Sequence, residues 1–395
     1  MARLLKDWMK AYGVYTSKSD SPQIFHMWCG LGAIAGAAQR KLWMHNAYFD
    51  VYPNMYIVLV SPPGRGKKTS ALRTAKNILK EVEPKVNFVS ESGSMEAIVG
   101  AMSRIVNKEH QSMTLFSMEL GSIINTSANI MVDWLTDIYD CNPDWSRQTV
   151  KHDLQVITRP YLNIMTGTTP RWLSERMGTI ALEGGLIARS LLIYSEELLA
   201  NNPWPGMETN EDEEILRGIK DKLAHDLSTI AQLQGEFHFD GGPDGEAYKW
   251  YDHWYRSVEE RYPEMPDPRT AGYYDRKHIH LLKTAMCLSL SYKDDLVLTT
   301  QDLQLALSFL DGTEAGIRLA LNAVGRNERS IETDQILFQI KKRGTMSYKE
   351  LLIENYTNLR DGQRGLDEAL GELVVMQRVR RDGYSFTYLP NGRPI

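Results

Sequence analysis

Two lysines and a hydroxyl stand directly behind a glycine-rich turn in Ser61-Pro62-Pro63-Gly64-Arg65-Gly66-Lys67-Lys68-Thr69-Ser70. Residues of these types in this order can hold a polyphosphate. Glycines let backbone N–H groups curl round a phosphate, and a helix starting behind them adds partial positive charge. A lysine neutralises the β- and γ-phosphates, and a hydroxyl after it gives Mg²⁺ an oxygen. Two registers are open. Pairing Gly66 with Lys67 leaves Lys68 where the hydroxyl belongs, a cation beside the metal. Pairing Lys68 with Thr69 restores the oxygen and puts Lys67 where glycine is usual. A Mg²⁺ ligand must be an oxygen, so the second register is preferred. Lys68 then meets the phosphates and Thr69 the Mg²⁺, with Pro63, Gly64, Arg65, Gly66, Lys67 and Ser70 around the nucleotide. The plain alternative is a glycine turn with incidental lysines.

Three further places offer groups for the same chemistry. Glu119 closes the apolar run 111–118, where a carboxylate can orient an attacking water. Ser117 stands two residues before it, and no Asp precedes it directly, so the metal-binding half of the usual acidic pair is missing. The competing reading of Glu119 is an N-terminal helix charge. Thr166-Gly167-Thr168-Thr169-Pro170 ends another apolar run. Its hydroxyls, with Thr168 the chosen nucleotide contact, reach the γ-phosphate or cap the helix that follows. Arg189, after Gly184-Gly185, has no evident carboxylate beside it. It is either an arginine finger for a neighbouring subunit's nucleotide or half of a surface ion pair. His26 lies in an apolar stretch and reads as a packed core histidine.

These groups need a scaffold, and the hydrophobic pattern describes one. Tyr56 to Val60 is a strand feeding the turn, and a helix runs from Ala71 to about Val82. Segments 85–90, 111–118 and 191–194 read as further strands, as does 161–170, which runs into a polar turn, giving an α/β core over 51–200. Residues 1–50 look helical, with Leu4, Leu5, Trp8, Met9 and Tyr12 at helical spacing and a second helix from Ser21-Pro22. The small-residue run 30–38 is too short to span a bilayer and reads as a buried, closely packed helix. An acidic linker at 196–214 leads to a helical lid over 201–325. In that lid the cluster Tyr248, Trp250, Tyr251, Trp254 and Tyr255 serves helix packing rather than base stacking.

With 395 residues, 43% hydrophobic and 24% charged, the chain has material for two or three domains. A net charge of −5 excludes a generally basic coat but allows a local basic surface, such as the lining of a ring. The N-terminus lacks the apolar core of a signal peptide. Cys29, Cys141 and Cys287 are far apart and odd in number, so neither a disulfide framework nor a metal spacing is visible. A cytoplasmic protein without membrane contact is expected.

The last segment, 326–395, shows three helical stretches and a hairpin turning at Asp382-Gly383. That is the pattern of a winged helix. Lys341, Lys342 and Arg343 with Arg378, Arg380 and Arg381 meet nucleic-acid phosphates, or the module docks a protein.

Three stretches together carry a family resemblance: Pro53-Asn54-Met55-Tyr56 through Ser61-Pro62-Pro63-Gly64 to Lys68-Thr69-Ser70-Ala71-Leu72; Ser117-Met118-Glu119-Leu120; and Thr166-Gly167-Thr168-Thr169-Pro170 with Gly184-Gly185 and Arg189. Over residues 5 to 320 the chain resembles the primase/helicase-like P-loop ATPases of phages and mobile elements. The resemblance implies a P-loop NTPase core of AAA+/RecA-like type, with ATP and Mg²⁺ as its cofactors. It also implies a homo-oligomeric, hexameric ring acting on DNA, single-stranded for choice, in replication. The helical lid and winged helix look like the layout of AAA+ replicative helicases, and on that likeness Arg276 is the lid arginine sensing the γ-phosphate. Two other roles stay open: a loader that docks another replication protein, and a nucleotide-binding structural subunit with little turnover.

Overall fold

The computed structural model describes residues 2–89, 94–107, 109–124, 128–149, 152–173, 185–197, 210–262, 268–321, 328–355 and 362–389. Helix α1 (Trp8–Tyr15) starts where the Asp7 side chain accepts the Lys10 N–H at 3.0 Å, a standard N-cap. Helix α2 (Gln23–Ala38) is buried along nearly its whole length. Its glycines permit that closeness. A Cβ on Gly32 would stand 2.5 Å from the Met165 sulfur, and one on Gly36 2.8 Å from Leu79.

Segment 42–51 departs from the helical expectation for residues 1–50. It forms an antiparallel hairpin, β1 (Leu42–Asn46) and β2 (Phe49–Val51). Trp43, Phe49 and Val51 favour extended backbone, and Ala47 turns the chain at φ 38°.

Next come β3 (Tyr56–Val60), α3 (Lys68–Leu79), α4 (Met95–Ser103), β4 (Gln111–Ser117) and α5 (Ala128–Tyr139). A second hairpin, β5 (Asp144–Thr149) and β6 (His152–Thr158), precedes β7 (Pro160–Thr168). Then α6 (Leu186–Arg189) leads into β8 (Ser190–Tyr194).

The central sheet is parallel, in the order β4-β7-β3-β8. Every residue of β3, β4 and β7 is buried, as expected of strands covered on both faces. Helices α2 and α3 cover one face, and α5 with α6 covers the other. The expected strand over 85–90 is reduced to a bridge, Phe88 beside Thr114, outside β4. Lys85 and Asn87 flank the apolar positions there and suit a sheet edge better than its interior.

Helices α7 (Asn210–Ile230), α8 (Glu246–Arg256), α9 (Ala271–Ser289) and α10 (Thr300–Leu321) complete the first compact unit, Met1–Leu321. Segments 1–50, 51–200 and 201–321 therefore share one core. Strands do occur among the later helices, though short: Gly235–Glu236 extends β1, and His238–Phe239 pairs with Val297–Leu298. The N-terminus is stitched to this late region. Trp8 donates its backbone N–H to Ser291 O at 2.7 Å and its indole N–H to Leu223 O at 2.9 Å. The Leu4 and Leu5 N–H groups donate to Asp226 at 2.8 and 3.0 Å. In α8, Trp254 is buried and stacks with Trp250, a packing role for that aromatic cluster.

The second unit is Asn322–Ile395. It holds helices Glu328–Arg343, Tyr348–Asn355 and Gln363–Val375, and a three-stranded antiparallel sheet. Its own core includes Ile336, Ile340, Leu351, Leu366, Leu370 and Phe386. Residues 91–93, Gly184 and most of the acidic linker lie outside the described residues. Among the described residues no helix is long and apolar enough to cross a membrane.

Candidate functional site

Because the four strands are parallel, all their C-terminal ends meet at one edge of the sheet. The chain leaves β3 toward β4 and later returns to the other side of β3 through β8. Ligands of open α/β sheets bind outside the strand ends at such a reversal. The turn 61–67 sits there.

Its backbone is set by three left-handed residues: Gly64 at φ 73°, Gly66 at φ 68° and Lys67 at φ 39°. Gly66 is required twice over, since a Cβ would also stand 2.8 Å from Ser61 Oγ and 2.9 Å from the Phe25 ring. Lys67 carries side-chain bulk in a conformation that favours glycine and is exposed. It immediately precedes α3 and gives it no side-chain cap, so the N-terminal N–H groups of a 12-residue helix open beside the turn.

Lys68 points the other way. Its ammonium donates to Ser61 Oγ at 2.9 Å and to Ser61 O at 3.2 Å. Its stem lies against Gly167, where a Cβ would meet Lys68 Cδ at 3.3 Å and Met118 O at 3.0 Å. Burial lowers its pKa, and Glu119 is close enough to oppose that shift. Ser61 is the hub: its hydroxyl donates to Arg65 O at 2.8 Å and its N–H to Thr168 O at 3.3 Å. Glu119 itself is exposed, with its carbonyl held by the Ser117 and Ser122 hydroxyls at 2.9 and 2.7 Å. The structure thus brings Lys68, Thr69, Gly167 and Glu119 to one edge. Their types fit a phosphate and its counter-ion: backbone donors, one inward ammonium, the Thr69 hydroxyl at the helix start and one carboxylate.

The threonines are less open than the sequence suggests. Gly167 faces Lys68, so Thr166 and Thr168 turn to the other face of the sheet. Their hydroxyls are buried without a partner, a cost of about 1–3 kcal/mol each. Thr168 as found therefore does not reach the loop with its hydroxyl. Thr169 is a helix cap, accepting the Trp172 N–H at 3.1 Å.

Beside the first turns of α3 opens a polar cleft of about 720 Å³, lined in part by Tyr15, His26, Ser70, Arg73, Thr74 and Arg217. His26 is buried, bonds Ser19 Oγ at 2.7 Å, and is held neutral by burial, with its pKa lowered to about 4. The α1–α2 connection also touches the loop, through Ser21 Oγ donating to Gly66 O at 3.1 Å.

Arg189 and Arg276 are elsewhere. Arg189 precedes β8, at the opposite edge of the sheet from the loop, on the order of 13 Å away along a five-residue strand. It does have a carboxylate beside it: Asp140 Oδ2 lies 3.0 Å from Arg189 Nη2. Arg276 reaches Asp140 Oδ1 at 3.3 Å, so it does not stand over its own subunit's loop as a lid sensor would. Sequence spacing gave no sign of either pairing, because Asp140 is distant from both arginines along the chain.

Lys283 is close by, fully buried, donating to Asn54 O at 3.1 Å and covering the Tyr139 ring at 4.2 Å. Burial lowers its pKa to about 8. An unfolded lysine keeps its proton to about pH 10.4, so between these values the unfolded chain binds more protons and stability rises with pH. The penalty is complete below about pH 8. Wild type should therefore gain about 3 kcal/mol relative to Lys283→Met between about pH 7.5 and 10.5. Denaturant unfolding of both proteins across that range measures it, and parallel curves would show that Lys283 titrates normally.

In the second unit Lys341, Lys342, Arg343, Arg378, Arg380 and Arg381 are all exposed. Arg343 pairs with Glu354 at 2.7 Å and Arg380 with Asp382 at 3.5 Å, while Lys341 lies over Tyr388. Among the described residues no group of three or more His, Cys, Asp or Glu could hold a metal ion. No protein-family model matches this sequence, and no curated protein matches it.

Proposed function

We propose that the chain is a Mg²⁺-dependent ATPase with a P-loop NTPase core, working as a ring on DNA in phage or mobile-element replication. The observation that supports this best is Lys68. From a left-handed turn at a helix N-terminus it lies across the strand ends against Gly167, held by Ser61 in the manner of a cation awaiting phosphate oxygens. In this reading the loop amides and the Lys68 ammonium take the β- and γ-phosphates. A Mg²⁺ held by Thr69 would supply further charge neutralisation. The cleft beside Ser70 and His26 takes the nucleoside end. Glu119 accepts a proton from the attacking water. Catalysis of this kind is mostly positioning and charge stabilisation, which suits residues gathered from the ends of β3, β4 and β7. The second unit, read as a winged helix, presents its exposed lysines and arginines to DNA phosphates, and a strong salt dependence of binding should follow.

The test is hydrolysis by Glu119→Gln. This change keeps shape and hydrogen bonding but removes the base, so turnover should fall roughly 10²-fold or more while ATP still binds. Steady-state hydrolysis with fluorescent-nucleotide titration separates the two. Equal loss of binding would make Glu119 a structural residue, and no binding by wild type would end the ATPase reading.

A further inference from the structure

We propose that the cleft beside α3 holds a second phosphate group, apart from those at the loop, between Arg73 of α3 and Arg217 of α7. This rests on the ATPase reading above for the nucleotide at the loop and adds to it a class of ligand.

The first ground is unmatched charge. Lys18, Arg73, Arg217 and Lys220 border the cleft against Asp20 and Glu213, a cationic excess in a chain of net charge −5. Lys220 is tied to Glu81. Arg73 and Arg217 are exposed, and among the described residues neither has a carboxylate at ion-pair distance or a hydrogen-bond acceptor. Glu213 stands one turn before Arg217, the order that favours an ion pair along a helix, and that pair is not made. His26 adds no charge, since burial lowers its pKa to about 4.

The second ground is the chemistry of the walls. Ser70, Arg73, Thr74 and Asn77 share one face of α3, and Arg217 lies across the cleft on α7. Burial raises the pKa of Tyr15, so its phenol keeps the proton and donates. Two guanidinium forks, the Asn77 amide and the Tyr15 hydroxyl make a wall rich in donors. A phosphate is rich in acceptors and carries the charge that two guanidinium groups bind best.

The third ground is room. At about 1.5 Å per residue, the face from Ser70 to Asn77 runs roughly 10 Å along α3. The cleft, at about 720 Å³, is large for a ligand pocket, which spans about 300–1,000 Å³. A nucleoside beside Ser70 and His26 therefore leaves the end toward Asn77 for a second group. The two positions share a wall, because the α1–α2 connection borders the cleft with Thr16 and Ser19 and bonds the loop through Ser21 Oγ to Gly66 O at 3.1 Å. The phosphate arrives either on the ribose of the loop's own nucleotide or as a separate anion.

Titration calorimetry of the full chain distinguishes these sources with ADP, with ADP carrying a further phosphate on its ribose 3′ oxygen, and with inorganic pyrophosphate. If the ribose carries it, wild type should bind the 3′-phosphorylated nucleotide roughly tenfold more tightly than ADP, the scale of two exposed charge pairs. Arg73→Ala and Arg217→Ala should each bring that ratio towards one. If the anion is separate, pyrophosphate should bind to Lys68→Ala, and adding Arg217→Ala should remove that binding. Equal affinity for both nucleotides, with no pyrophosphate bound by Lys68→Ala, would overturn the proposal. So would a preference or a pyrophosphate affinity that neither arginine change moves: a merely structural arginine weakens both nucleotides alike and leaves their ratio as in wild type. ADP binding by wild type judges the ATPase reading by itself. ADP bound with neither effect ends the second site and leaves that reading standing; pyrophosphate held by Arg217 with no ADP bound does the reverse.

Discussion

Lys68→Ala should lose ATP hydrolysis, roughly 10²–10³-fold on the scale of removing one preorganised charge donor, whereas Lys67→Ala should keep most of it. The two neighbours differ in what surrounds them. Lys67 is exposed, in a left-handed conformation at the head of α3. Lys68 lies inside the edge, bonded to Ser61 and packed on Gly167. Only the second can follow charge as it develops on a phosphate held by the turn. Steady-state hydrolysis of both variants, with nucleotide affinity measured beside it, checks the register. Loss in Lys67→Ala with activity kept in Lys68→Ala would reverse it and place Lys68 where the metal ligand was expected.

Arg189→Ala should lower hydrolysis by about 10³-fold, the scale of an arginine finger, and the loss should be repaired by mixing. Within one subunit Arg189 and the loop stand at opposite edges of the sheet. A subunit lacking Arg189 still has a loop, and one carrying Lys68→Ala still has its arginine. Some interfaces in a mixture then join an intact loop to an intact finger. Hydrolysis should reappear on mixing the two inactive proteins, once labelled protein has shown that subunits exchange. Exchange with no recovered turnover would leave Arg189 as the ion-pair partner of Asp140 and nothing more.

What the sequence revealed follows the range of the interactions involved. The strand, loop and helix around Ser61 to Leu72 were legible because each signal is local: an apolar run, glycines that permit φ above zero, then helix formers. The C-terminal hairpin was legible for the same reason, its turn marked by Asp382-Gly383. The hairpin β5–β6 was missed because Asp144, Ser146, Arg147 and Thr149 give it little apolar pattern. The site was legible in part. Lys68, Thr69 and Glu119 each stand at a strand end or helix start, and a parallel sheet gathers such ends without further instruction. Arg189 and Arg276 were not placed, since their shared carboxylate comes from the end of α5 and no periodicity announces it. Thr168 lies on the other face from Lys68 for a geometric reason: in a strand, adjacent residues face opposite ways, and Gly167 is the one beside Lys68.

The stitching of Leu4, Leu5 and Trp8 to Asp226, Leu223 and Ser291 has a consequence for synthesis on the ribosome. Strand β3 is made early, yet both its neighbours come later, and β8 last of all. At about 5–20 residues per second, β3 waits roughly 5–25 s with an open apolar edge. The last of the N-terminal ties, from the Trp8 N–H, waits longer still, until Ser291 has left the exit tunnel. Contacts so far apart along the chain make for slow folding. A message broken before codon 291 therefore yields a product that lacks the Trp8–Ser291 bond and holds its N-terminus only through Leu223 and Asp226, an earlier target for holdase chaperones and proteases.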